Sequence, residues 1–374
     1  MLTIDSRSKW IRELAGLSQT VATIAQAFPL AEVSYRDSVT GATMQSEALN
    51  FSNSAEHNAA FARCFDGLSR KGAHAKTLSK SLEALTSGRN TYGVVCELLT
   101  YLWLLDHNLP FQIQVPLSRA DVLNQGEHEL DGKLTDFLDV FFDVKAFGFQ
   151  ERLIERLRQR LEADMPGRWI AVEGSWDVSV RTLESLLSKQ YKKLLLDLKQ
   201  KHVVSRGVLH FIERDKKHFQ ISHHTMDPYL FAEENTGYVL SSADQFCTKS
   251  PFILFFAYHP WLGGNSLNTD FAGYACTVTR SLARRTFIKF LDDPTHVSDT
   301  LKEPRGVASR LVSGIGFLNV SQLPAQPGGR DTDPTLRLYL NPNATNPVSR
   351  LTIDLLQSEA RQSVMVEDFS HDNY

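Results

Sequence analysis

The segment "TDFLDVFFDVKAFG", residues 135–148, concentrates the side chains with the clearest chemical potential in this chain. It carries Asp136, Asp139 and Asp143, and Lys145 follows two residues after the last of them. In an extended strand alternate side chains share a face. Asp143 and Lys145 therefore point the same way, while Phe142, Val144 and Ala146 enter an apolar layer. If the chain turns around 138–140, Asp136 folds back toward Asp143; in a continuous strand Asp139 shares the Asp143 face. Either geometry crowds carboxylates around one ammonium, and a bound cation relieves the repulsion. Magnesium takes oxygen ligands, commonly a few carboxylates completed by water and substrate phosphate. A nearby lysine offsets negative charge, orients a water or stabilises charge that develops on phosphorus. Two carboxylates and a lysine suit metal-assisted phosphodiester hydrolysis.

Glu97 belongs with this group. It is the one charged residue between Arg89 and Asp106, inside "YGVVCELLTYLWLLDHN", a helix apolar on nearly all sides and therefore expected to be buried. A buried glutamate needs a partner, because desolvating a carboxylate is costly. A shared metal ion or Lys145 would supply one. A glutamate paired with an arginine or tyrosine is the plainer alternative. For the hairpin that alternative is a solvated edge whose aspartates favour turns, although "VFFDVKAF" is too apolar to be mostly exposed.

An acidic residue on a core helix, an Asp near a strand turn and Asp-x-Lys on the next strand resemble the PD-(D/E)XK nuclease superfamily. The resemblance implies a restriction-endonuclease-like α/β fold, with a mixed β-sheet core flanked by helices and with N- and C-terminal additions. It gives Asp136 the first acidic place, with Thr135 where the motif prefers proline. Asp143 takes the second and Lys145 the lysine, and Glu97 is the helix glutamate that many members add to the metal site. Only six residues separate Asp136 from Asp143, a shorter gap than is usual in the superfamily, so Asp131 and Asp139 remain alternatives. The implied cofactor is Mg2+, with Mn2+ as a substitute. The implied activity is endonucleolytic cleavage of DNA, in keeping with a restriction or phage-defence role. A catalytically inactive nuclease-fold module that binds nucleic acid is the competing expectation. A homodimer or a partner protein is compatible with both.

The elements needed to hold these residues are legible in outline. After the helix ending at Asn108, "FQIQV" (111–115) alternates as a strand, and the acidic segment follows as a hairpin or bent strand. "FQERLIERLRQRLEAD" is an amphipathic helix, "RWIAVE" a strand, and "RTLESLLSKQYKKLLLDLKQK" another helix. "RGVLHFIER" and "PFILFFAY" complete the expected sheet, a mixed α/β core with helices on both faces. Residues 1–90 are read as an accessory region with a helix near 6–28, a hairpin turning at Thr40-Gly41 and a helix near 54–70. Residues 91–265 form the core. Residues 266–374 form an α+β addition with a helix over "FAGYACTVTRSLARRTFIKFLDD", a strand pair in "GIGFLNVSQL" and "TLRLYLNP", and an acidic tail expected to fray.

Between Lys145 and Lys217 there are sixteen Lys/Arg and ten Asp/Glu, a local excess in a chain whose net charge is -3. Arg152, Arg156, Arg158 and Arg160, with Lys189, Lys192 and Lys193, are expected to contact phosphates. For the α-helix of 150–164, interleaved Glu151, Glu155 and Glu162 make a solvent face laced with salt bridges the competing reading. In the related nucleases a Gln or Lys on a following helix supports the site, which points to Gln190 or Lys193. His223, His224 and Asp227 cluster in "QISHHTMDPY", yet adjacent histidines on a strand face opposite ways and no HExxH spacing is present. The glycine pair of "WLGGN" is not part of a phosphate-binding loop motif. Four separated cysteines (Cys64, Cys96, Cys247, Cys276) offer no thiolate zinc site. No stretch suits a membrane span or a secretory signal, so a cytoplasmic protein is expected.

Overall fold

The computed structural model describes residues 4–28, 30, 51–87, 91–123, 128–136, 138–147, 150–174, 178–215, 227–258, 267–298, 301–323, 334–370 and 372. The hairpin expected at Thr40-Gly41, His223 and His224, and the Gly263-Gly264 pair lie outside them.

Four helices, α1 (Ile4–Leu17), α2 (Gln19–Ala27), α3 (Ala55–Arg70) and α4 (Ala75–Ser87), pack together, and α3 and α4 lie directly on a fifth, α5 (Thr91–Asp106). Ser18 breaks the expected 6–28 helix in two. Its side chain accepts from the Val21 amide and so caps α2, and Ser54 caps α3 in the same way. Apolar residues all round α5 are buried on every side, and Cys96 donates its thiol to the Ala257 carbonyl at 3.4 Å. Trp10, Leu14, Phe61 and Phe65 share one hydrophobic cluster with Phe142 and Phe255 of the central sheet. The N-terminal helices thus cover one face of that sheet.

The sheet has seven strands in the order β1 (Phe111–Leu117), β2 (His128–Leu134), β3 (Val140–Ala146), β7 (Phe252–Tyr258), β8 (Gly314–Asn319), β9 (Leu336–Leu340) and β10 (Val364–Glu367). β1, β2 and β3 run as antiparallel neighbours, and β3–β7 and β7–β8 are parallel. β8–β9 is antiparallel and β9–β10 parallel. A second cluster covers the opposite face, where Phe252, Leu254 and Phe256 pack with Phe317 and Tyr339. α9 (Pro228–Val239) and α10 (Leu267–Lys289) contribute Phe231 and Leu282 to it. Three strands beyond residue 313 therefore belong to the central sheet itself.

Two expectations change. "RWIAVE" and "RGVLHFIER" do not join the central sheet. They form β4 (Trp169–Gly174) and β6 (Leu209–Arg214) of a separate antiparallel sheet, ordered β4-β6-β5 with β5 at Val203–Arg206. A parallel neighbour of β3 is covered on both faces and needs an almost wholly apolar strand. "FILFFAY" satisfies this with all seven residues buried, whereas β4 is buried only at Ile170. The small sheet has its own core with α6 (Gln150–Asp164), α7 (Val180–Leu187) and α8 (Tyr191–Lys201), centred on Leu157, Leu161, Leu183, Leu194 and Phe211. It is an insertion between β3 and β7. Nor does the tail fray where it is described. Phe369 is buried against Phe287 and Tyr339, Glu367 pairs with Arg280, and Asp372 pairs with Arg280 and Arg284. Among the described residues no helix is long and apolar enough to cross a membrane.

Candidate active site

The site forms where the β2–β3 hairpin opens. Leu134 faces Val140 and Gly132 faces Phe142. The same register sets Asp131 opposite Asp143. Gly132 is required here, because a Cβ on it would lie 2.3 Å from the Phe142 ring and 2.7 Å from the Gln112 carbonyl oxygen. With glycine, the Phe142 ring closes over β2 and holds β3 in place. Asp143 is 2% exposed, and its carboxyl meets that of Asp131 at hydrogen-bonding range. Asp131 Oδ2 also accepts the Val144 amide at 2.7 Å.

Lys145 Nζ lies 2.5 Å from Asp143 Oδ2 and donates to Gln245 Oε1 at 2.8 Å. The Lys145 ammonium is thus the partner of the buried Asp143 Oδ2. From the other side of the sheet, α5 brings Glu97 into the field of Asp143 and Lys145. Tyr101 donates to Glu97 Oε1 at 2.9 Å and to the Asp131 carbonyl at 2.8 Å, and Gln114 Nε2 donates to the same Glu97 oxygen at 3.3 Å. The single hydroxyl proton is shared between these two acceptors.

Burial raises the Asp131 pKa well above the usual carboxylate range, the Asp143 and Glu97 charges add to it, and the Val144 amide opposes. Burial also raises Glu97, with Asp143 and Glu129 adding, against the Tyr101 hydrogen bond and the Lys145 charge. Asp131 and Asp143 thus face each other beside one ammonium, within the field of Glu97.

Of the residues singled out in the sequence, the structure brings together Glu97, Asp143 and Lys145, with Asp131 as the facing acid. It does not bring Asp136 or Asp139 to them. Both have left-handed backbone, at φ 55 and φ 47, and both are exposed at the hairpin tip. Asp139 pairs with Lys133, and Asp136 acts electrostatically on Lys71. Asp143 is three residues up the strand from Val140, about 10 Å at the usual strand rise, so Asp136 is on the wrong side of the turn. The tip follows the turn-forming reading of those aspartates.

The remaining candidates sit on the insertion. The backbone of Arg152 is in α6. Arg156 is half-buried there, and Lys189, Gln190 and Lys193 are exposed near the start of α8. Gln190 donates to Ser185 Oγ at 3.0 Å. The amide that reaches Lys145 is instead Gln245, one hundred residues on in the sequence. Asp227 caps α9 by accepting the Tyr229 and Leu230 amides. Sequence reasoning passed over Tyr101, Gln114 and Gln245. Tyr101 sits one helical turn after Glu97, a spacing that was available as a signal. Gln114 reaches Glu97 through a left-handed backbone, φ 51, inside a strand, which its sequence does not announce.

Among the described residues, no three His, Cys, Asp or Glu side chains converge as a ready-made metal cage. Two facing carboxylates, Asp131 and Asp143, nevertheless fit a magnesium site, which takes few protein ligands and several waters. Comparison with protein-family models, with curated proteins and with solved structures finds no match to this chain.

Proposed function

We propose that this chain is a metal-dependent endonuclease with a PD-(D/E)XK-type site on a restriction-endonuclease-like core, acting on DNA. The observation that carries the reading is the Asp131–Asp143 pair on adjacent strands, with Lys145 on the Asp143 face. The α5-β1-β2-β3 order, with β7 parallel to β3, supports the same core. Asp131 replaces Asp136 as the first acid. Asp131 and Asp143 would hold Mg2+ or Mn2+, with Glu97 adjoining them. When bound, the cation supplies Lewis-acid stabilisation of the phosphoryl group and a more acidic water. Tyr101 and Gln114 hold Glu97 toward the pair, and Gln245 fixes the Lys145 ammonium. Lys145 is placed to orient the attacking water and to oppose charge on the scissile phosphate.

One observation favours a second reading, a nuclease-fold binding module without catalysis. Lys145 is held by both Asp143 and Gln245, and a lysine kept in that geometry is unavailable to a phosphate. Plasmid cleavage with Mg2+ or Mn2+ by the wild type, Asp143→Ala and Lys145→Ala separates the two. Cleavage lost in both variants supports the enzyme. Cleavage equal in all three removes the site from the chemistry. A wild type that takes up Mn2+ calorimetrically and binds DNA without cutting it supports the module.

A further inference from the structure

The insertion between β3 and β7 has a charged face that the site does not use. In sequence the insertion lies between the two partners of the Lys145–Gln245 hydrogen bond. Its root is fixed on the sheet, where the Phe147 amide donates to the Ala257 carbonyl at 2.8 Å and Tyr92 donates to the Phe147 carbonyl at 2.9 Å.

Its two basic helices differ in how their charges are used. In α6, Arg158 pairs with Glu162 at 2.5 Å, and Glu162 also accepts the Ile170 amide. Arg160 donates to the Leu187 carbonyl at 2.6 Å and stacks 3.6 Å above the Tyr191 ring. These arginines hold the insertion together. In α8, Tyr191, Leu194 and Leu198 face the core. At 3.6 residues per turn, Lys192, Lys193, Leu196 and Lys199 fall on the opposite side, within an arc of about 120°, and Lys189 precedes them in the turn that leads into the helix. All five are exposed, with Leu196 at 56%. The arc carries no carboxylate; Asp197 lies to one side and pairs with Arg206. Lys192 and Lys193 also stand in the first turn, where no acidic residue accompanies them and the helix dipole disfavours positive charge.

We propose that this face of α8 is the surface on which the duplex phosphate backbone docks, which takes its substrate from the nuclease reading above. Lys192 and Lys199 are seven residues apart, about 10 Å along the helix, and that length of duplex presents about three phosphates per strand at 3.4 Å each. The three helical lysines match that number, and Lys189 extends the patch at its start. An anionic membrane is the other surface a lysine-rich helix suits, but an interfacial helix buries a broad apolar face, and Leu196 is the single apolar residue on this arc.

The test is the salt dependence of binding of a short fluorescent duplex in EDTA, read by anisotropy. Replacing Lys189, Lys192, Lys193 and Lys199 together by Ala is expected to lower the log–log salt slope by about 3–4, at roughly 0.9 per lost phosphate contact, and to weaken binding on the order of a hundred-fold. Replacing the same four by Arg is expected to keep the slope, which separates charge from folding. Lys76→Ala with Lys80→Ala, exposed lysines on α4, is the control expected to leave it unchanged. An unaltered slope in the four-alanine variant overturns the proposal. So does an equal fall in the control, or a wild type that binds phosphatidylserine vesicles and no duplex. Failure of the nuclease reading is seen separately, as plasmid cleavage that survives Lys145→Ala.

Discussion

The two ends of the β2–β3 hairpin carry the same residue type in opposite circumstances. At the tip, Asp136 and Asp139 are exposed, left-handed and close to lysines. Short polar side chains tolerate that backbone, so the turn accounts for both. At the open end, buried Asp143 meets half-buried Asp131 across the strands, with Glu97 in their field. Nothing in folding requires two carboxylates to be buried together, and desolvation with like charge makes the arrangement costly. Such an arrangement makes this end the candidate site. Burial of Asp143, rather than the number of aspartates in the segment, separates it from the tip.

The comparison is broken or upheld most sharply by activity. Asp143→Ala and Lys145→Ala are expected to reduce the rate of plasmid cleavage on the order of 10²–10³-fold or more, as when a charge-stabilising group is removed from an active site. Asp136→Ala and Asp139→Ala are expected to stay within about two-fold, since surface changes away from such features shift energies by about 0.5 kcal/mol. A rate for Asp136→Ala as low as that of Asp143→Ala would transfer the metal site to the tip.

Stability without metal gives the next effect in size. An aspartate in an unfolded chain titrates near pH 4, whereas burial and the Asp143 and Glu97 charges raise Asp131 well above that in the folded protein. Between the two values the folded state holds the extra proton. The contribution of Asp131 to stability therefore falls as pH rises through this window, and the loss is complete above the folded pKa. Asp131→Asn carries no charge to bury, and its side-chain oxygen can still accept the Val144 amide. Relative to wild type it is expected to gain stability from pH 4 to pH 8 in EDTA, by about 1.4 kcal/mol for each unit of the shift. Mg2+ is expected to narrow the gap by stabilising only the wild type. Thermal melts across that range check it; a constant difference would mean that Asp131 is not desolvated beside Asp143.

Asp143, Lys145 and Glu97 were legible because each stands against an apolar background, and a charge inside "VFFDVKAF" or "VVCELLTYLWLL" needs a reason. The choice between Asp131 and Asp136 was not, since register depends on how the turn is made. Left-handed backbone at both Asp136 and Asp139 puts the turn at 135–139 and leaves Asp131 facing Asp143. The insertion was misplaced for a related reason. "RWIAVE" and "FILFFAY" both read as strands, and only their different burial tells which one can lie parallel beside β3. Gln245 was invisible because no local pattern connects it to a lysine one hundred residues earlier.

Tyr101 supplies the finest distinction, because it joins Glu97 to the backbone beneath Asp131 through one hydroxyl. Tyr101→Phe keeps the ring, which stacks on Phe111 at 6.0 Å between centroids, and removes only the hydrogen bonds. A stability loss of about 1–2 kcal/mol is expected from leaving buried acceptors without a donor. The informative measurement is the pH profile of cleavage. The Tyr101 hydrogen bond lowers the Glu97 pKa against burial, so its removal raises that pKa further. If ionised Glu97 takes part in the reaction, the acid limb of the profile moves to higher pH in Tyr101→Phe, with a few-fold loss of rate near neutrality. Glu97→Gln then removes that limb altogether. A profile that stays fixed in Tyr101→Phe while the melting temperature drops would make Glu97 a buried structural acid, leaving Asp131, Asp143 and Lys145 as the reactive end of the hairpin.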